Sequence, residues 1–390
     1  MSPAPKQAVL LVIDGMGIGE APDAHEYRDE GSNTLQNLAA QMGGLDLPNL
    51  GRLGLGNIAD IQGVPAAERP LASYGRLREV SKGKDSTTGH WELLGLPVHQ
   101  PFPTYPGGFP PDVIGAFEQA IGRQVLANKP ASGTAVIDEY GPEHLATGQP
   151  IVYTSADSVF QIAAHTDVIP LDELYRISQI ARDLLQGEHA VSRVIARPFV
   201  GHPGAFKRTY DRKDYSLPPL NPTLLDRLVE TGYEVISVGK VDYLFSGQGI
   251  TEVNHTEGNA DGMRVIAQRF AGGFNGLMFC NLIDTDQTYG HRNDCPGYKA
   301  ALEAIDAWLP LFLDQLPGDV PFLITSDHGN DPTTPSTDHS REYVPILGYS
   351  PEHFHGADLG TRRTFADVAA TLADHFGLPT DDWGTSFLGH

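Results

Sequence analysis

Ala8-Val9-Leu10-Leu11-Val12-Ile13-Asp14 is an unbroken apolar run closed by an acid. Its length and its Val, Ile and Leu content suit a strand buried on both faces, as strands of parallel sheets are. The pattern returns twice. Leu277–Ile283 runs into Asp284 and Asp286, and Phe322–Thr325 runs into Asp327 and His328. Ile151–Tyr153, Arg193–Ala196, Glu234–Val238 and Val344–Leu347 are further short runs of strand character. Helical patterns lie between them, over Leu171–Leu185, Thr223–Glu230, Ala260–Phe270, Lys299–Leu313 and Thr364–Phe376. This alternation predicts an α/β fold with a central, mostly parallel sheet flanked by helices.

The chain has 390 residues, and at roughly 150 residues per domain that length allows two or three domains. From 101 to 216 the character changes, with Pro/Gly-rich stretches at Pro101–Pro111 and Arg197–Pro203 and a separate strand–helix set. This predicts a smaller α/β domain over 101–216, inserted into a core built from 1–100 and 217–390. The formal charge of −22 excludes nucleic acid and anionic membrane surfaces as partners. An acidic protein that handles an anionic substrate needs a local reversal of sign, which divalent cations and a few Arg and Lys side chains supply. Cys280 and Cys295 form neither a zinc pattern nor a disulfide framework, so a cytoplasmic setting is expected. The early apolar run is too short for a signal peptide, and no run is long enough to span a membrane.

In an open parallel sheet, ligands bind beyond the carboxyl ends of the strands. If the three acid-ended strands are neighbours, Asp14, Asp286 and Asp327 converge on one edge. Their charges repel there unless cations lie between them. Histidines complete the set: His291 follows Asp286 by five residues, and His339 follows His328 by eleven. Mixed Asp and His ligands suit Mn²⁺ or Zn²⁺ better than Mg²⁺ or Ca²⁺. Six such ligands fit two sites of three, and two metals about 4 Å apart are a common phosphoryl-transfer device. A lone acid after a strand is more often a cap or turn former, and Asp284 is read that way.

A second constellation is Lys84-Asp85-Ser86-Thr87-Thr88-Gly89-His90-Trp91-Glu92, in which three hydroxyls precede Gly-His and the helical-looking Trp91–Leu94. A hydroxyl at a helix N-terminus meets unpaired N–H groups and the positive end of the dipole, which suits a phosphoester. A metal ion would lower the hydroxyl's pKa enough for attack on phosphorus. The plain alternative is a helix cap formed by Ser86 or Thr88.

These segments resemble the alkaline phosphatase superfamily and, within it, the prokaryotic phosphopentomutase family. The resemblance rests on Val12–Ala24, Lys84–Glu92, Asn128–Thr134, Tyr153–Val159, Asp286–His291 and Asp327–Pro332, and it extends over almost the whole chain. It implies an alkaline-phosphatase-like α/β core with a smaller cap domain. It implies that Asp14, Asp327 and His328 hold one Mn²⁺-type ion and that Asp286, His291 and His339 hold another. The family's phosphoryl acceptor lies three residues before the Gly-His, which is Ser86 here; many relatives carry Thr at that place, and Thr87 is the next residue to test. The implied reaction interconverts ribose 1-phosphate and ribose 5-phosphate, and the 2-deoxyribose pair, in nucleoside salvage. It runs through a phosphoserine and a sugar bisphosphate, and a sugar bisphosphate is the expected activator. A closing cap would keep the intermediate in and water out.

Small-molecule sugar phosphates are thus the expected partners. Arg193 and Arg208 suit phosphate through bidentate contacts, with Arg197 and His202 behind them. Ser155 and Asp157 could take sugar hydroxyls, and Lys240, just past Glu234–Val238, could reach an anion at the same edge. Two other readings share the bimetal pattern. One is a different enzyme of the superfamily, a phosphatase or a phosphoglycerate mutase; a sulfatase would need a motif that this chain lacks. The other is a metal-binding protein without catalysis.

Overall fold

A computed structural model describes residues 5–155, 158–380, 382 and 384–390. It divides into two compact units, Met1–Gln100 with Pro219–His390, and Pro101–Pro218. In chain order the larger unit opens with β1 (Gln7–Ile13) and β2 (Ser73–Leu77). The smaller unit holds β3 (Leu126–Pro130), β4 (Ile151–Thr154), β5 (Val159–His165), β6 (Arg193–Val200), β7 (Lys207–Arg208) and β8 (Lys213–Ser216). The larger unit resumes with β9 (Glu234–Val238), β10 (Glu252–Asn254), β11 (Gly276–Leu282), β12 (Phe322–Thr325), β13 (Val344–Tyr349) and β14 (Asp358–Arg362).

The larger unit's sheet has the order β10-β9-β11-β1-β12-β13-β2-β14. β10, β9, β11, β1 and β12 run parallel, and β14 runs parallel to β2. β13 alone is reversed, pairing antiparallel with both β12 and β2. The reason is connectivity: between β12 and β13 the chain returns through a loop without a crossover helix, and a parallel partner would need one. The expected mostly parallel sheet is therefore present. β1 lies between β11 and β12, with Ile13 opposite Leu282 and Val12 opposite Thr325. That register brings the ends of the three acid-closed strands to one edge.

The helix Cys295–Leu313 shows how the core forms. Tyr298, Leu302, Ile305, Leu309 and Phe312 recur at helical spacing and are buried with β1, β11 and β12 side chains. Each such large apolar side chain contributes about 1.5–3 kcal/mol on burial. Asp294 caps this helix by accepting from Gly297 N at 3.0 Å.

The smaller unit carries a mixed sheet, β3-β4-β5-β6-β7 with β8 paired to β6. The helices Pro111–Ile121 and Leu171–Leu184 cover one apolar cluster containing Phe117, Phe160, Leu174 and Ile177. Gly133–Thr147 covers a second, containing Val136, Tyr153 and Phe199. Among the described residues no helix is long and apolar enough to cross a membrane.

One buried histidine far from the sheet's acidic edge gives a pH prediction. His375 Nε2–H donates to the Gln7 carbonyl at 2.9 Å. Burial is the main cause that brings its pKa down from 6.5 to about 4. Between those values the unfolded chain takes up a proton that the folded chain refuses. Stability must therefore fall as pH drops from about 6.5 to about 4. In chemical denaturation, His375→Gln is expected to flatten this part of the stability–pH curve relative to wild type; an unchanged slope would count against it.

Candidate metal centre

Asp14 is the first residue past β1, Asp327 and His328 follow β12, and Asp286 follows β11 by four residues. A left-handed Gly15 (φ +77°) turns the chain sharply there, where a Cβ would come within 3.2 Å of the Asp286 Cβ. Thr285 Oγ1 donates to the Asp14 carbonyl at 2.6 Å, locking the β1 and β11 ends together.

Two groups of ligand-type atoms result. Asp14, Asp327 and His328 bring one such atom each to within 4.8 Å of one another, as do Asp286, His291 and His339. In the first group His328 Nε2 lies 3.5 Å from Asp14 Oδ1 and 3.3 Å from Asp327 Oδ2. In the second, Asp286 receives His291 Nε2 at 3.3 Å and His339 Nε2 at 3.5 Å. His291 Nδ1–H donates to the Thr337 carbonyl at 2.7 Å, which turns its Nε2 towards Asp286. The His328 and His339 ring centroids are 3.9 Å apart, so the two groups adjoin.

The electrostatics of this edge call for cations. Among the described residues, Asp14 Oδ1 and Asp327 Oδ2 are buried without a hydrogen-bond partner, a costly state for carboxylate oxygens. Burial, then the charges of Asp327 and Asp286, hold the Asp14 carboxyl well above the usual range. Burial also disfavours a charged His339, but Asp286 outweighs it and lifts that imidazole to about 9. A divalent ion between these groups would offset the repulsion among the carboxylates. The donor set of carboxylates and imidazoles fits Mn²⁺- or Zn²⁺-type ions.

The three hydroxyls of the Ser/Thr loop part company. The helix runs Ser86–Leu93, and its cap is Asp85, whose side chain accepts from Thr87 N and Thr88 N. Neither Ser86 nor Thr88 is needed as the cap. Thr88 Oγ1 donates to the Asp85 carbonyl at 2.9 Å and is fully buried. Ser86 is half-buried, and its Oγ lies 3.1 Å from His328 Nε2, at the first group. Gly89 makes this approach possible, because a Cβ there would collide with the Asp327 carbonyl. Asp284 takes a structural role, accepting from Asn259 N at 2.8 Å at the start of the helix Asn259–Ala271.

Lys240 reaches the same edge: it hydrogen-bonds Gln287, next to Asp286, and its charge bears on Asp14. Arg193 and Arg208 belong to the smaller unit. Arg193 opens β6, with Nη1 3.7 Å from Asp214 Oδ2. Arg208 lies in β7 beside Gly133 and the Tyr153 hydroxyl, at the start of the helix Gly133–Thr147. Arg197 Nε donates to Gln161 Oε1 at 2.8 Å, and His202 is exposed. Ser155 follows β4 and is half-buried. Asp157 lies outside the described residues.

Sequence reasoning missed the supports of this edge. Arg341, two residues past His339, is 1% exposed. It donates to Glu79 Oε2 at 2.5 Å, to Asp23 Oδ2 at 3.0 Å and to the Gly83 carbonyl at 2.6 Å, tying the His339 loop to the Ser86 loop. Lys84 Nζ repeats the tie, 3.0 Å from Asp29 Oδ2 and 3.3 Å from Asp338 Oδ2. No local motif announces Arg341; only its partners, remote in sequence, give it meaning. Arg341→Met leaves Glu79 and Asp23 without their counter-ion and is expected to cost about 3–5 kcal/mol in urea unfolding. A loss below about 1 kcal/mol, the range of an exposed pair, would contradict the role given to it.

The comparisons place the chain in a family. The family model of the Metalloenzyme superfamily matches residues 6–380. A phosphopentomutase of Dictyoglomus turgidum is 57% identical over 383 residues, covering 98% of this chain and 97% of that protein. A phosphopentomutase of Carboxydothermus hydrogenoformans is 58% identical over 384 residues, covering 98% and 99%. A crystal structure of phosphoglycerate mutase from Leishmania mexicana, 12% identical, superposes with a TM-score of 0.51 over 100% of this chain and 98% of that one, a likeness of fold. With an alkaline-phosphatase-like α/β fold and near full-length identity above one half, the chain belongs to the phosphopentomutase family of the metalloenzyme superfamily.

Proposed function

We propose that the chain interconverts ribose 1-phosphate and ribose 5-phosphate, and the 2-deoxyribose pair, through a phosphoserine at Ser86 and a sugar bisphosphate. The observation that carries this reading is the Ser86 hydroxyl, 3.1 Å from His328 Nε2 beside two groups of metal-ligand type. Asp14, Asp327 and His328 would hold one Mn²⁺, and Asp286, His291 and His339 a second. Bound there, the cations would neutralise phosphoryl oxygens and favour the ionised form of the attacking hydroxyl.

In the forward half-reaction a sugar hydroxyl oxygen bonds to phosphorus while the Ser86 Oγ–P bond breaks, and the hydroxyl proton ends on Oγ. In the second half Ser86 Oγ takes the other phosphoryl group of the bisphosphate, and the sugar oxygen regains the proton. Each turnover restores phosphoserine, so a sugar bisphosphate is needed only to load Ser86 first. The helix Ser86–Leu93 places the Ser86 hydroxyl at its positive dipole end, with the Thr87 and Thr88 N–H groups already taken by the Asp85 cap. Arg193, Arg208 and Lys240 are the cations we assign to the remote phosphate, and Ser155 and Asp157 the groups for the sugar hydroxyls. The buried cysteines Cys280 and Cys295 suit a reducing cytoplasm.

The test is ³¹P NMR of the protein with MnCl₂, ribose 5-phosphate and a trace of ribose 1,5-bisphosphate. Growth of the ribose 1-phosphate resonance is expected. Free phosphate as the main product would make the chain a phosphatase, and tight Mn²⁺ binding without turnover would make it a binding protein.

A further inference from the structure

We infer that His90 is a positioning residue, joining the Ser86 backbone to the carboxylates of the first metal group through the hydrogen-bonded chain Asp14–Asn281–His90–Ser86. The inference rests on Ser86 as the phosphoryl acceptor.

His90 stands one helical turn after Ser86 and is fully buried. Its Nδ1 lies 2.9 Å from the Ser86 carbonyl oxygen and 3.1 Å from Asp327 Oδ2. Its Nε2 lies 3.0 Å from Asn281 Nδ2, which also lies 3.0 Å from Asp14 Oδ2. The direction of each bond follows from chemistry. A carboxylate only accepts, so the Asn281 atom facing Asp14 is the amide nitrogen. That nitrogen has a second hydrogen, which goes to His90 Nε2. The imidazole hydrogen is then on Nδ1, where it goes to the Ser86 carbonyl, with Asp327 Oδ2 close by.

The setting of Asn281 accords with this chain. It is 2% exposed and interrupts the apolar strand β11, where Phe279 packs 5.6 Å from the His90 ring. A buried amide in such a strand is costly unless its hydrogen bonds are made. Its Nδ2 spends both hydrogens on Asp14 and His90, whereas its Oδ1 is buried with no hydrogen-bond partner among the described residues. One amide and one imidazole thus tie the Asp14 carboxylate to the first turn of the Ser86 helix, with Asp327 Oδ2 close beside the imidazole. Groups that orient metal ligands in this way are typically worth about 10–100-fold in metal affinity or activity.

Three variants separate the hydrogen-bonding positions. His90→Asn keeps a donor near Nδ1, His90→Gln keeps a polar group near Nε2 only, and His90→Ala keeps neither. The readouts are kcat and KM for pentose phosphate interconversion, Mn²⁺ affinity by titration of the metal-free protein, and thermal unfolding to show that each variant folds. His90→Ala is expected to lose about 10–100-fold in kcat with a smaller change in KM, and to bind Mn²⁺ more weakly. His90→Asn should recover part of both losses, and His90→Gln should not. His90→Ala combined with Asn281→Ala should be no worse than the poorer single variant, as members of one chain are not additive.

Wild-type kcat and Mn²⁺ affinity in folded His90→Ala would overturn the inference. So would equal losses in the Asn and Gln variants, a comparison that holds even if the Ala variant does not fold. Failure of the acceptor assignment looks different. Ser86→Ala would then keep turnover, while the Mn²⁺ titration of the His90 variants would still read the hold on Asp14.

Discussion

Ser86→Ala is expected to lower pentose phosphate interconversion by at least about 10⁴-fold, the scale on which enzymes lose a covalent nucleophile. The loss should be this large because nothing nearby can substitute. Thr88, two residues on in the same helix, has its hydroxyl tied to the Asp85 carbonyl and is closed to solvent. Thr87 follows Ser86 directly, but its backbone is pinned by Asp85 Oδ1 at 3.0 Å, so it cannot slide into the place of Ser86 without breaking the cap. Ser86→Thr, in contrast, should keep most of the rate, because the hydroxyl stays at the same Cβ. Fold and metal content should be unchanged in both, since Ser86 is only half-buried and makes no bond that a cap requires. Steady-state assays of the three proteins, each loaded with Mn²⁺ and bisphosphate, check this. Turnover within about tenfold of wild type in the alanine variant would remove Ser86 from the chemistry, since nucleophile loss costs far more.

Removal of metal is the second large effect. The chelated protein should show no interconversion above background, and added Mn²⁺ should restore it. Stability should follow the same titration. At free Mn²⁺ about a hundredfold above Kd, each occupied site adds about 2.7 kcal/mol to the folded state. Both effects stem from the crowding of Asp14, Asp286 and Asp327 at one sheet edge, where burial and mutual repulsion already push the Asp14 carboxyl upwards. Asp327→Ala separates the two groups. It deletes a buried member of the first and leaves Asp286, His291 and His339 in place. Turnover should be lost, while calorimetric titration should still find one Mn²⁺ equivalent rather than two. Two equivalents in that variant, or full activity after exhaustive chelation, would contradict the assignment.

The central sheet was legible in the sequence because its inner strands are continuous apolar runs. β9, β11 and β12 lie within about one residue of where those runs predict them. β2 (Ser73–Leu77) and β14 (Asp358–Arg362) were not, because strands near a sheet edge carry Ser, Gly, Arg and Asp and lack the apolar run. β5 was missed although it is wholly buried, since Gln161 and His165 interrupt its pattern. Those side chains are satisfied by partners remote in sequence, Arg197 for Gln161 and the Gly201 carbonyl for His165.

The site divides in the same way. Acids that close strands are visible locally, so Asp14, Asp286 and Asp327 could be expected to meet. The choice among Ser86, Thr87 and Thr88 was open from the residues themselves, because it depends on Asp85 taking the cap. His90 was visible only as part of a Gly-His landmark. Its partner Asn281 is 191 residues away, and the link exists only once β11 lies beside β1. Arg341 was invisible for the same reason, with Glu79 262 residues away.

The most direct measurement is an anomalous difference map, at the manganese edge, of crystals grown with Mn²⁺. Two peaks are predicted, one among Asp14, Asp327 and His328 with the Ser86 hydroxyl beside it, the other among Asp286, His291 and His339. Peaks that leave either trio empty, or a pair of ions remote from Ser86, would contradict it.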